Sequence, residues 1–198
     1  MSTTSHLRQF NLRPVVCTGQ ARATHRTAYA SYCYIRREPD ADQFGRMPQE
    51  WASRGDLVAT GRVHPAQTPG WARSGPEIWR QADASITPQR VLEAAAFHIV
   101  LSLPPELDQS DWQHLIEDFC IENLAAAGMI ADWAIHHKPG AIAPHAHLLV
   151  TARSWRHDRA PGRRHPRWFT NEEAVRAAER TWLGLARLSP SVGVKLAA

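Results

Sequence analysis

No apolar run in this 198-residue chain approaches the roughly 18–20 consecutive positions that a membrane-spanning helix needs. The N-terminus lacks the short apolar core of a secretory leader, so the chain is expected to work in the cytoplasm. Cysteine is scarce. Cys17, Cys33 and Cys120 are scattered and form no Cys-x-x-Cys pair, and their odd number argues against a disulfide framework. They read as reduced thiols serving as small buried hydrophobes. No internal repeat is present. Acidic residues are sparse in one place above all: Arg153 to Arg167 holds six arginines and two histidines against Asp158 alone. That asymmetry says more than the net charge of +4. It points to a polyanion partner, nucleic acid being the commonest, over a merely solvated basic loop.

What is there suits one domain over residues 1–198, with 43% hydrophobic and 21% charged residues. Residues 40–76 read as a long connection and 189–198 as a fraying tail. A first strand is expected over His6–Thr18, and a helix over Ala21–Arg37 that carries all three tyrosines, Tyr29, Tyr32 and Tyr34, among Arg22, Arg26, Arg36 and Arg37. Leu57–Val63 is a possible short strand, and Pro76–Ala84 a short helix. Ala94–Leu103 is nearly continuously apolar and reads as a central strand. Ser110–Gly128 has apolar residues near helical spacing, with Ser110 or Asp108 as cap. A last helix is expected from about Asn171 to Leu188. Helices on an antiparallel sheet make an α+β architecture.

The chain is organised around Ala131–Arg153, which reads as a β-hairpin turned at Lys138-Pro139-Gly140. His145 and His147 are two apart on its second arm, so their imidazoles leave the same face of the strand. The first arm ends in His136 and His137, and folding brings one of them beside the pair. Three neutral imidazoles can hold a divalent cation with positions left open. A His-x-His on a half-buried strand is otherwise an ordinary polar face. No Glu accompanies the histidines as in His-Glu-x-x-His and no Cys joins them, which argues against a zincin protease or a deaminase. Arginines and tyrosines beside such a site suit phosphate chemistry, with tyrosine as nucleophile.

Ala131-Asp132-Trp133-Ala134-Ile135-His136 followed by Pro144-His145-Ala146-His147-Leu148-Leu149-Val150 resembles the three-histidine motif of the MobA/MobL (MobQ-type) plasmid mobilisation relaxases, a branch of the HUH endonucleases. Leu103-Pro104-Pro105-Glu106-Leu107 is similar to that family's Leu-Pro-x-Glu-Leu signature, and Tyr34-Ile35-Arg36-Arg37-Glu38 to its Tyr-Ile-x-Arg-Glu segment. The resemblance implies a five-stranded antiparallel sheet flanked by helices. It also implies a metal-dependent nickase of single-stranded DNA at an origin of transfer. Mn or Mg would sit on His136, His145 and His147, with His137 as rival to His136. Tyr34 would be the nucleophile, with Tyr32 and Tyr29 as rivals. Accessory mobilisation proteins and a coupling protein would be partners, with delivery to a recipient cell alongside the DNA. Asp132 shares the face of His136 and is a candidate to orient it. His98 stands where the family often has a Glu, either as a fourth polar member of the site or as a packed histidine. Arg22, Arg26, Arg36, Arg37, Arg153, Arg156, Arg163, Arg164 and Arg167 are the candidate DNA contacts. The alternatives are a degenerate relaxase acting as a DNA-binding accessory protein, and a related replication initiator or transposase.

Overall fold

The computed structural model describes residues 10–16, 27–39, 53–86, 93–140, 142–164 and 172–188. Its elements are β1 (Phe10–Val16), α1 (Ala28–Arg36), β2 (Leu57–Val63), α2 (Glu77–Ala84), β3 (Ala94–Ser102), α3 (Gln109–Cys120), β4 (Ala131–Lys138), β5 (Ile142–Thr151), β6 (Arg153–Trp155), β7 (Pro161–Arg164) and α4 (Glu172–Leu188). Five strands form one antiparallel sheet in the order β1-β3-β5-β4-β2. The histidine hairpin therefore supplies the central strand and one of its neighbours, and the apolar β3 is the other neighbour.

Strand alternation sorts the side chains into two cores. On one face Phe97, Ile99 and Leu101 of β3, Trp133 and Ile135 of β4, and Leu148 and Val150 of β5 pack under Trp112, Leu115, Ile116 and Phe119 of α3 and Trp182 of α4. The other face carries Ala134 and Leu149 and is covered by Tyr29, Tyr32, Cys33 and Ile35 of α1 and Ile78, Trp79 and Ala82 of α2. The second face is polar at one end, and there the histidines lie. Strand β2 can hug β4 because Gly61 has no side chain; a Cβ there would enter the Trp133 indole.

Helix α1 is placed by two acceptors. The Thr27 hydroxyl takes the Ala30 N–H at 3.0 Å. The Asp83 carboxylate of α2 takes the Ala28 and Tyr29 N–H groups at 2.7 and 2.9 Å. These satisfy N–H groups that a first helical turn leaves open, and they fix α1 against α2. At its other end Arg37 is left-handed at φ 57°, and its N–H closes back on Cys33 O and Tyr34 O.

Several expected boundaries move. Asp108 caps α3, accepting from the Asp111 N–H at 2.9 Å, but the helix regularises only to Cys120 and widens into a π turn over Ile121–Ala125 before Gly128 at φ 89°. Part of the expected basic loop is a two-stranded ribbon, β6 paired with β7. Within the long connection, Leu57–Val63 is a full edge strand of the sheet, and Gly70–Ala72 forms a 3-10 turn. Residues 6–9, 17–26, 40–52, 165–171 and 189–198 lie outside the described residues, and with them Cys17, Arg22, Arg26, Arg167 and the expected cap of α4.

Candidate metal and nucleophile site

The register places the histidines. His136 is directly opposite His145, and Ala134 opposite His147, so His136, His145 and His147 leave one face of adjacent strands. Their ligand atoms lie within 4.8 Å of one another. His137 leaves the opposite face, its ring 5.5 Å from that of Trp112 on α3 and its Nδ1 donating to Ile142 O. Of the two rivals, it is His136 that joins the pair.

The ring nitrogens are individually engaged. A carbonyl only accepts, so His145 Nδ1, 2.8 Å from Ala143 O, carries the hydrogen and leaves Nε2 with a lone pair. His147 Nδ1 is 2.8 Å from His98 Nε2, while His147 Nε2 is buried with no hydrogen-bond partner among the described residues. An orphaned imidazole nitrogen on a member of a histidine cluster fits a cation seat. His98 thus contacts a candidate ligand directly and engages its other ring nitrogen. Burial, then the neighbouring Arg37, pushes the His136 pKa down to about 4 from 6.5, partly opposed by a bond to Ile35 O. Burial and then the imidazoles of His98, His136 and His145 hold His147 well below its ordinary value. Both rings are therefore neutral at pH 7, the form that binds metal.

Tyr34 is the tyrosine that meets this cluster. Its ring stands edge-on to His147, His136 and His98, with centroids 5.5, 6.4 and 6.4 Å away. Tyr29 and Tyr32 are buried in the α1–α2 core, under the guanidinium groups of Arg80 and Arg36 respectively. Burial is also the chief cause raising the Tyr32 pKa, which opposes its use as a phenolate.

Asp132 does not orient His136. Its carboxylate is taken by Arg62, through Nε and Nη2, and by Trp79 Nε1. It sits four residues down β4, where it ties β2 and α2 to the sheet. The group that does reach His136 is Arg37. Its Nε and Nη2 each meet an Asp56 oxygen at 2.7 Å, and Nη2 also lies 2.9 Å from His136 Nδ1. Hydrogen bonding from Arg37 is in turn the main cause holding the Asp56 carboxyl below its ordinary pKa. Asp56 carries no local sequence signal; Arg37 was legible as part of the Tyr-Ile-x-Arg-Glu segment and as a candidate DNA contact, not as a partner of His136.

The MobA/MobL family profile matches residues 23–182. The chain belongs to that family. Similar curated proteins are the conjugal transfer protein TraA of Rhizobium radiobacter, 33% identical over 46% of this chain, and a probable conjugal transfer protein TraA of Sinorhizobium fredii, 31% identical over 70%. This MobA/MobL chain spans only 9% and 13% of their lengths. A solved structure described as "Molecular Basis of Vancomycin Resistance Transfer in Staphylococcus aureus" shares the fold at TM-score 0.72, 20% identity, and 96% and 97% coverage of the two chains. No helix among the described residues is long and apolar enough to cross a membrane.

Among the described residues of this MobA/MobL chain, the arginines expected to meet nucleic acid fall into three sets. Arg37 is buried on Asp56, and Arg153 is held by Glu93 at 2.6 Å with its side chain 11% exposed. Both are internal ties, a correction to the expectation of a DNA-facing role. Arg164 leans on the same Glu93, and Arg36 on Glu38. Arg156 is 63% exposed and Arg163 is on the surface of the ribbon. Beside them Trp71 and Trp155 meet edge to face at 5.9 Å, with Arg159 5.5 Å over the Trp71 ring. Sequence reasoning missed this aromatic-basic pairing because Trp71 and Trp155 are 84 positions apart.

Proposed function

We propose that this chain is the nicking domain of a mobilisation relaxase, which cleaves one strand of DNA at an origin of transfer and can rejoin it. The observation that carries the reading is Tyr34 standing edge-on to His136 and His147, two of the three histidines whose ligand atoms converge. His136, His145 and His147 would hold a divalent cation, Mn or Mg. When bound, the cation supplies Lewis-acid polarisation of a phosphoryl oxygen.

The chain's own residues do the rest. Tyr34 Oη attacks the scissile phosphorus and the P–O3′ bond breaks. The phenol gives up its proton as the new bond forms, and the departing 3′ oxygen takes one up. The 5′ end stays on Tyr34 as a phosphotyrosine, and because one phosphoester replaces another, the reverse reaction needs no external energy source. Helix α1, pinned by Asp83, holds the tyrosine, so its position is set before substrate arrives. The ribbon's Arg156 and Arg163, with Trp71 and Trp155, offer phosphate contacts and stacking faces to the strand.

Incubation with labelled single-stranded origin DNA and Mn²⁺ tests the reading. Wild-type protein should form a covalent adduct that survives denaturation. Tyr34→Phe should form none while still binding the DNA. An adduct that persists in Tyr34→Phe moves the nucleophile elsewhere, and DNA binding by the wild-type protein with neither adduct nor metal favours a DNA-binding accessory role.

A further inference from the structure

Arginine has no acceptor and does not lose its proton in proteins, so Arg37 Nη2 can only donate to His136 Nδ1. His136 Nε2 must then carry the ring hydrogen, and it donates to Ile35 O at 2.7 Å. Both nitrogens of His136 are thereby occupied. His145 and His147 differ: among the described residues each has a ring nitrogen without a hydrogen-bond partner, His145 at Nε2 and His147 at its orphaned Nε2. The cluster holds two ligands that are ready and one that is fastened.

The fastening group is tied to the nucleophile as well. Arg37 Nη1 donates to Tyr34 O at 2.9 Å, and the guanidinium carbon lies 4.7 Å from the Tyr34 ring centroid. Asp56 balances its charge, and the Asp56 carbonyl accepts the His137 N–H at 2.8 Å, which locks the pair to the end of β4. A single buried guanidinium therefore bridges Tyr34, His136 and the edge of β2.

We propose that the Arg37–Asp56 pair is a latch on the metal seat: Arg37 holds His136 by its hydrogen bond and must release it for His136 to become a ligand. The latch rests on the reading of the three histidines as the cation seat. Arg37 is then a positioning residue, acting through His136 and Tyr34. Filling the seat requires loss of a charge-assisted hydrogen bond and brings a dication towards a guanidinium, so the latch weakens cation binding to the DNA-free protein. Asp56 limits that repulsion by pulling the guanidinium to its own side.

Mn²⁺ affinity, read by calorimetry and by the resonance of free Mn²⁺, tests the latch on the whole chain. Arg37→Met/Asp56→Asn removes the latch without leaving an unbalanced charge and should bind Mn²⁺ about tenfold or more tightly than wild type. Asp56→Asn alone leaves the guanidinium uncompensated and should bind several-fold more weakly. In metal-free wild-type protein the imidazole ¹⁵N spectrum should show His136 as the Nε2–H tautomer with Nδ1 accepting, and saturating Mg²⁺ should change that pattern. A folded double variant with wild-type or weaker affinity, or a His136 pattern that Mg²⁺ leaves alone, overturns the latch. His147→Ala separates the two readings. Mn²⁺ binding that it abolishes but the double variant leaves unchanged refutes the latch alone, whereas the absence of any His147-dependent Mn²⁺ binding refutes the metal seat and the latch with it.

Discussion

Replacing Asp132 by alanine should cost stability and leave metal binding untouched. The Asp132 side chain is 2% exposed and that of its partner Arg62 is 7% exposed. Truncation leaves a buried guanidinium without its counter-charge and the Trp79 indole N–H without an acceptor. Breaking a buried pair by removing one partner costs about 3–5 kcal/mol, and an orphaned donor about 1–3 kcal/mol. Arg62 keeps two carbonyl acceptors, Ala72 O at 3.0 Å and Gly75 O at 2.7 Å, which draws the expected sum to its lower end, about 4 kcal/mol. Against a typical domain stability of about 5–15 kcal/mol that is a large fraction. Urea unfolding should show a lower midpoint with an unchanged slope. Arg62→Met/Asp132→Leu, which removes both charges, should recover most of the loss. Mn²⁺ affinity of the folded variant should stay within about twofold of wild type, as expected for sites that share no partner. An Asp132→Ala protein that keeps its stability to within about 1 kcal/mol yet loses about tenfold in Mn²⁺ affinity refutes this reasoning and returns Asp132 to the metal site.

Without metal, the buried histidines make stability fall with acid. His136 titrates near 4 in the folded chain against an ordinary 6.5, so the unfolded chain binds protons more readily. The contribution is complete above about pH 6.5 and is lost on descending to about pH 4, by roughly 3 kcal/mol from His136, with His147 acting in the same direction. Melting in chelator across that window checks this, and stability that is flat or rising towards acid contradicts it. On the ribbon, Arg156→Ala and Arg163→Ala should each weaken DNA binding and lower its salt slope by about one, as lost phosphate contacts do. Arg153→Ala should lower the melting temperature and leave the slope alone, because Arg153 holds Glu93; an equal fall in slope for Arg153→Ala would sink that distinction.

The central sheet was legible because its signals are local. β3 is a continuous apolar run, and burial on both faces of an inner strand demands that. The hairpin's turn and α3's helical spacing follow from periods of two and 3.6. The π turn after Cys120 breaks no compositional rule, and Gly128 remained a plausible helix end, so nothing in the residues betrayed the change of winding. The β6–β7 ribbon was missed for a different reason. Its strands are three and four residues long and rich in arginine, with no apolar alternation to mark them. Their pairing is fixed from outside, by Arg153 and Arg164 gripping Glu93 just ahead of β3.

The site divides along the same line. One strand period suffices to put His145 beside His147, and one hairpin register suffices to choose a residue of β4 to face them. Asp132 shows the limit of that rule. It lies on the same face as His136, but four residues of strand separate them by roughly 13 Å, so a shared face does not make a contact. Arg37 and Asp56 lie beyond any period. They are 19 residues apart in sequence, and Arg37 is 99 from His136. Their meeting depends on α1 ending in a left-handed residue, on Asp83 having set the helix's angle, and on β2 pairing Leu57 with His136 so that Asp56 arrives at the same strand end. Each of those is a tertiary fact. The candidate ligands of this site are therefore written in the pattern of one hairpin, while the group that would govern access to them is written only in the packing of a helix against it.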